Sequence, residues 1–266
     1  MRAICRRRRA PEVHKVLIEN SILASNRDGR KAIALGIKSP ATEVVEMAAH
    51  VGFDAVALDG EHGLFSPESV ELMCRVANGY GLSVTARVPN IHPSMINRYL
   101  DRGVQGVMGP HIESGEEAQT LADACLYPPD GRRSWGGGRG SELGDQRVLD
   151  EKYGGKLAFA RWANANMMVS AQIESRKGID NLDEILRVDG VRSYAYGPND
   201  MAASLGHPGE PGHPEVLEAH REIELKVREA GRRMASDFAV GMRFEDDLLE
   251  LLRRFVESHR DAGVTG

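Results

Sequence analysis

The sequence predicts an α/β fold, a single-domain (β/α)8 barrel with an irregular C-terminal unit. Three observations carry this. From about residue 30, short apolar runs alternate with amphipathic stretches of helical length. No Gly-x-Gly-x-x-Gly follows the first run, which leaves a doubly wound open sheet as the weaker alternative. No shift of composition marks a second domain within 266 residues.

The elements follow in order. Residues 1–29 form a basic leader, headed by Arg2 and Arg6 to Arg9, and are expected to be flexible. A secretory signal needs an apolar stretch after such charges, whereas Pro11, Glu12, His14 and Lys15 follow here. Residues 30–266 form the barrel. Its strands are predicted over 32–37, 55–58, 83–88, 106–109, 167–173 and 193–196, apolar runs of the kind that a parallel sheet buries on both faces. Helices are predicted over 42–51, 67–80, 93–101, 115–125, 177–186 and 215–230. Ser66 is placed to cap the second of these, and Pro67 and Pro93 stand where a first helical turn tolerates proline. The rhythm fails twice. Residues 127–161 are a long connection rich in glycine. Beyond Gly231 a seventh strand is expected over 233–240, but 245–260 reads as one charged helix with no eighth apolar run.

Composition narrows the function classes. Lys+Arg total 34 against 39 Asp+Glu, and this mildly acidic balance argues against a nucleic-acid partner. No run approaches the length of apolar chain that spans a bilayer, so no membrane partner is expected. Cys5, Cys74 and Cys125 are odd in number and far apart, which fits buried reduced thiols in the cytoplasm.

Barrel enzymes place their chemistry at the C-terminal ends of the strands. Four ends deposit polar groups there: Asp59-Gly60-Glu61-His62, Arg87-Val88-Pro89, Gln172-Ile173-Glu174 and Gly197-Pro198-Asn199-Asp200. Singly, each has a plain structural reading: Asp200 as a helix cap, Glu174 or Arg87 as ion-pair partners, His62 as a rim histidine. Their convergence favours a site. Glu174 and Asp200 suit a hard divalent ion, with Mg2+ or Mn2+ expected before Co2+ or Zn2+. Arg87 can grip a carboxylate or enolate oxygen. His62 is a titratable base, which Asp59 or Asp101 could orient. Backbone N–H groups after Gly197 can receive an anion. Together these groups can form and stabilise an enolate.

The same segments resemble the HpcH/HpaI aldolase family. The resemblance rests on Gly52-Phe53-Asp54 with Leu58-Asp59-Gly60-Glu61-His62, on Arg87-Val88-Pro89, and on Leu100-Asp101-Arg102-Gly103 to Pro110. It continues in Tyr127-Pro128-Pro129, in Gln172-Ile173-Glu174, and in Gly197-Pro198-Asn199-Asp200 to Gly206. It implies a metal-dependent lyase that cleaves 4-hydroxy-2-oxoacids to pyruvate, or a close 2-oxoacid, and an aldehyde. Glu174 and Asp200 would bind the metal. Gln172, Asn199, Asp200 and Arg87 would bind substrate. Arg87 would also stabilise the enolate, and His62 would move protons, steered by Asp59 and Asp101. A homohexamer or other homo-oligomer is implied. A related branch resembling macrophomate synthase decarboxylates oxaloacetate through the same enolate, so decarboxylation is the alternative activity. A catalytically weak barrel is the remaining one. The chain departs from the family pattern at Arg133 to Gly140 and after Gly231.

Overall fold

A computed structural model describes residues 13–260. Its core is one curled sheet of seven parallel strands: β1 (Ala32–Ile37), β2 (Ala55–Asp59), β3 (Ser83–Arg87), β4 (Gly106–Gly109), β5 (Met168–Ile173), β6 (Ser193–Tyr196) and β7 (Ala239–Arg243). Their order is β6-β5-β4-β3-β2-β1-β7. The first six lie within a residue or two of the predicted runs. Apolar residues of the sheet (Val56, Val84, Val107, Val169) share one core with the helical side chains Val45, Val70, Met73, Ile96 and Leu121.

Local sequence explains the helices. Ser66 accepts the Ser69 N–H, Ser69 answers on the Ser66 N–H, and Pro67 opens the helix Pro67–Gly79. Helix Thr42–Val51 ends at Gly52, whose φ of 95° is left-handed and costs little without a Cβ. The helix predicted over 177–186 is two, Arg176–Asp180 and Leu182–Ile185. The break falls at Asn181, whose side chain donates to the Glu113 carbonyl across the loop that follows β4.

Two expectations need correction. The flexible leader is expected over 1–29, yet residues 13–29 belong to the packed body. Leu17, Asn20, Ile22 and Leu23 are buried. Asn20 caps the helix Ser21–Arg27 and also donates to the carbonyls of Gln105 and Asn166, beneath the sheet. Arg2 and Arg6 to Arg9 lie outside the described residues.

The strand expected over 233–240 is not formed there. After helix Pro214–Glu229, the chain touches β6 through a single bridge between Tyr194 and Met234. It turns through Ala235–Asp237 and at once becomes β7, which pairs with β1. Among the described residues there is thus one strand where an eight-stranded barrel has two. The sheet curls back toward its start without full closure. A chain with so little between Met234 and Ala239 has no room for a crossover helix, which needs a dozen or more residues.

The long connection after β4 is mostly framework. It holds a helix, Lys156–Ala165, that the glycine-rich composition had hidden. Tyr127, Trp135, Tyr153, Phe159 and Trp162 form one aromatic cluster, with Trp135 packed 5.1 Å from Tyr127. Glu142 is fully buried and accepts the backbone N–H groups of Val16 and Leu17, which ties the N-terminal segment down.

Candidate active site

Strand register builds the site. Asp59 and Arg87 are cross-strand partners, the last residues of β2 and β3. Side chains at paired positions of a parallel sheet stand on the same face. Asp59 accordingly accepts from Arg87 twice, at 3.1 Å from Nε and 2.7 Å from an outer nitrogen. The other outer nitrogen of Arg87 lies 3.1 Å from Glu61. Such a two-pronged grip fixes a planar guanidinium in direction as well as position.

Glu174 stands just past β5 and is buried to 1% exposure. Gln172, two residues back on the same face, donates to its Oε2. The backbone N–H of His111 donates to its Oε1 at 2.7 Å. Burial pushes the Glu174 carboxyl above its usual range. The neighbouring charge of Asp200 pushes the same way, while His111 and Gln172 oppose. Burial likewise pushes the Arg87 guanidinium down, but Asp59, Glu61 and Glu174 outweigh it and hold it above its ordinary value. For Asp59, burial raises the carboxyl and is overcome mainly by Arg87, leaving it low.

Asp200 sits in the first turn of helix Pro198–Ser204, whose N-cap Gly197 offers no side chain. A Cβ at Gly197 would run into the Glu174 carboxylate and lie 2.7 Å from Gln172 Nε2. Glycine here keeps open the space beside Glu174.

The structure therefore brings Asp59, Arg87, Gln172, Glu174 and Asp200 to one rim. His62 stands at its mouth with a 61% exposed side chain, 3.8 Å from Glu61. Asp59 accepts from the His62 backbone N–H rather than from its ring. Its carboxylate holds Arg87 and does not steer the imidazole. Asn199 is exposed beside Asp200. No hydrogen bond or ion pair joins Asp101 to this cluster among the described residues. It caps helix Pro93–Leu100, and Gly136 packs against its carboxylate.

Two residues were missed. Glu61 was written into the second strand end but given no role, although it links Arg87, His62 and His111. His111 bridges Glu61 and Glu174 at 3.2 Å each. It holds a φ of 49°, uncommon outside glycine. Its signal is present in the sequence: it is the first polar residue after β4.

A cavity of about 400 Å3 opens below Asp59 and Arg87, lined by Ala34, Gly36, Ala57, Thr85 and Gly106.

The model of the HpcH/HpaI aldolase/citrate lyase family matches residues 35–265. The chain belongs to that family. The hydroxypyruvate/pyruvate aldolase of Roseovarius nubinhibens is 37% identical over 211 residues, 77% of each chain. The 4-hydroxy-2-oxovalerate aldolase of Rhodococcus jostii is 34% identical, over 80% of this chain and 79% of its own. Among solved structures, an HpcH/HpaI aldolase/citrate lyase family protein from Burkholderia cenocepacia superposes with a TM-score of 0.78. It is 27% identical and matches 91% of this chain and all of its own. This HpcH/HpaI member is accordingly a lyase, an aldolase that works on carbon–carbon bonds.

Proposed function

We propose that the rim formed by β2, β3, β5 and β6 cleaves or forms 4-hydroxy-2-oxoacids through a pyruvate enolate, with pyruvate or a close 2-oxoacid and an aldehyde as the other partners. One observation carries the reading: a buried carboxylate, Glu174, with Asp200 beside it, shares the rim with a single fixed guanidinium. Four carboxyl groups, Asp59, Glu61, Glu174 and Asp200, gather around the one guanidinium of Arg87. A divalent cation fits that surplus. Glu174 and Asp200 would hold it, Mg2+ or Mn2+ before Co2+ or Zn2+, because carboxylate oxygens suit hard ions. Once bound, the ion polarises the substrate's keto oxygen as a Lewis acid.

The protein supplies the rest. Arg87, locked by Asp59, presents a cation where the enolate oxygen gains charge, so little reorganisation is needed as the reaction proceeds. Gln172 fixes Glu174 and borders the substrate. The uncapped N–H groups of Asn199 and Asp200 receive the substrate carboxylate. His62, exposed at the mouth, carries the proton to and from the reacting atoms. Among the described residues the Asp101 carboxylate makes no hydrogen bond or ion pair with a side chain of the rim.

A barrel of the (β/α)8 type, a cytoplasmic setting and a homo-oligomer, as a hexamer or another closed assembly, go with this reading. The oligomer is supported by helix Phe244–His259, which buries no residue and exposes Leu248, Leu252, Phe255 and Val256 along one side. The thiols Cys74 and Cys125 are free and buried, and burial pushes both up to about 12, as suits inert core positions. No helix among the described residues is long and apolar enough to cross a membrane.

The test is pyruvate release from a panel of 4-hydroxy-2-oxoacids, with and without added metal. The wild type should turn over only with metal, and Glu174→Ala should lose that turnover. Undiminished activity in Glu174→Ala would remove the assignment. Faster release from oxaloacetate than from any 4-hydroxy-2-oxoacid would give the decarboxylase instead.

A further inference from the structure

A second group of ligating side chains lies outside the rim. The loop after helix Pro198–Ser204 carries His207, Glu210 and His213, and one ligand atom from each lies within 4.8 Å of the others. We propose that these three residues form a second divalent-metal site, for a borderline ion such as Zn2+.

The donor set argues for the ion. Two imidazoles and one carboxylate suit Zn2+ better than the all-oxygen ions expected at the rim. The two rings are stacked, 3.5 Å between centroids and 19° from parallel. Glu215 accepts from His207 Nε2 at 3.1 Å. A carboxylate on one ring nitrogen sets the tautomer and leaves Nδ1 to ligate, the usual second shell of a metal-bound histidine. His213 engages Nδ1 only in a long 3.3 Å contact with the Glu215 backbone N–H at the start of helix Pro214–Glu229. That N–H is near solvent and can turn to water when Nδ1 takes the metal. Zn2+ bonds of about 2.0–2.2 Å require the ligand atoms to draw closer than they stand. Glu210 is exposed, its carboxylate makes no ion pair among the described residues, and the rings are only partly buried, so small rotations suffice. The ion would clamp the loop joining the helix of Asp200 to the next helix.

The test removes the rim site first. The variant Glu174→Ala/Asp200→Ala should still hold one equivalent of Zn2+ after equilibrium dialysis, and Zn2+ should raise its Tm. Adding His207→Ala should lose both effects. His213→Asn, which keeps a side-chain acceptor for the cap, should also lose the bound Zn2+. No zinc in Glu174→Ala/Asp200→Ala, or zinc that survives both His207→Ala and His213→Asn, would overturn the proposal. Neither result bears on the aldolase reading, because no activity is measured.

Discussion

Asp54 and Asp59 stand at opposite ends of β2, and each grips an arginine through two bonds. At the base, Asp54 accepts from both outer nitrogens of Arg30 at 2.7 Å and from the Ile33 N–H, which ties β1 to β2. At the rim, Asp59 grips Arg87 in the same two-pronged way. The pairs differ in their surroundings. Arg30 is 53% exposed and its carboxylate partner is matched one to one, whereas Arg87 is 20% exposed and faces Glu61 and Glu174 as well. The same chemical pair thus braces the sheet at one end and, in the proposed function, serves reactivity at the other. What decides is the number of carboxylates gathered around one cation.

Substitutions at the two ends should separate accordingly. Arg87→Ala should lower kcat on the order of 10²- to 10³-fold, the range for losing one oxyanion donor. A loss below tenfold in steady-state kinetics would make Arg87 a structural partner like Arg30. His111→Ala removes the residue that bridges Glu61 and Glu174. Metal affinity or activity should fall about 10- to 100-fold, as for other partners of metal-binding carboxylates. Unchanged metal affinity by calorimetry would show that Glu174 needs no such support.

The smallest effect belongs to the base. Asp54 is held below the usual carboxylate range, first by Arg30 and then by the Ile33 N–H. A depressed carboxyl stabilises the fold above its unfolded value, about pH 4, and that contribution is lost as pH falls through the lower folded value. Asp54→Asn should therefore cost about 1 kcal/mol or less at pH 7, shrinking toward zero in acid, with kcat unchanged. Urea unfolding at several pH values checks the sign. A cost that grows in acid would contradict it.

Much of this was legible in the chain. The six strands up to Tyr196 were readable because buried parallel strands are short apolar runs bounded by turns. Asp59, Arg87, Glu174 and Asp200 were candidates because each lies at or just past the end of such a run, and the structure places the four at one rim. Asp101 was a candidate too, and the structure sets its carboxylate against Gly136, a contact that its position after a helix does not encode. His111 escaped although it is the first polar residue after the fourth run, directly behind Gly109-Pro110. The packed segment 13–29 escaped for another reason. Its anchor is Glu142, more than a hundred residues away, and no local pattern encodes so distant a contact. Beyond Gly231 the regular alternation gives way to a single bridge and an abrupt strand, and periodicity cannot place a strand whose partner is β1 at the far end of the chain.

The account rests on an enolate formed at the rim, and one measurement addresses that without knowing the aldehyde. Proton NMR in D2O should show deuterium entering the methyl group of pyruvate when the enzyme is supplied with Mg2+ or Mn2+. The exchange should stop on adding a chelator. Absence of exchange with either metal, at an enzyme concentration where the fold is intact, would contradict the pyruvate enolate as the intermediate.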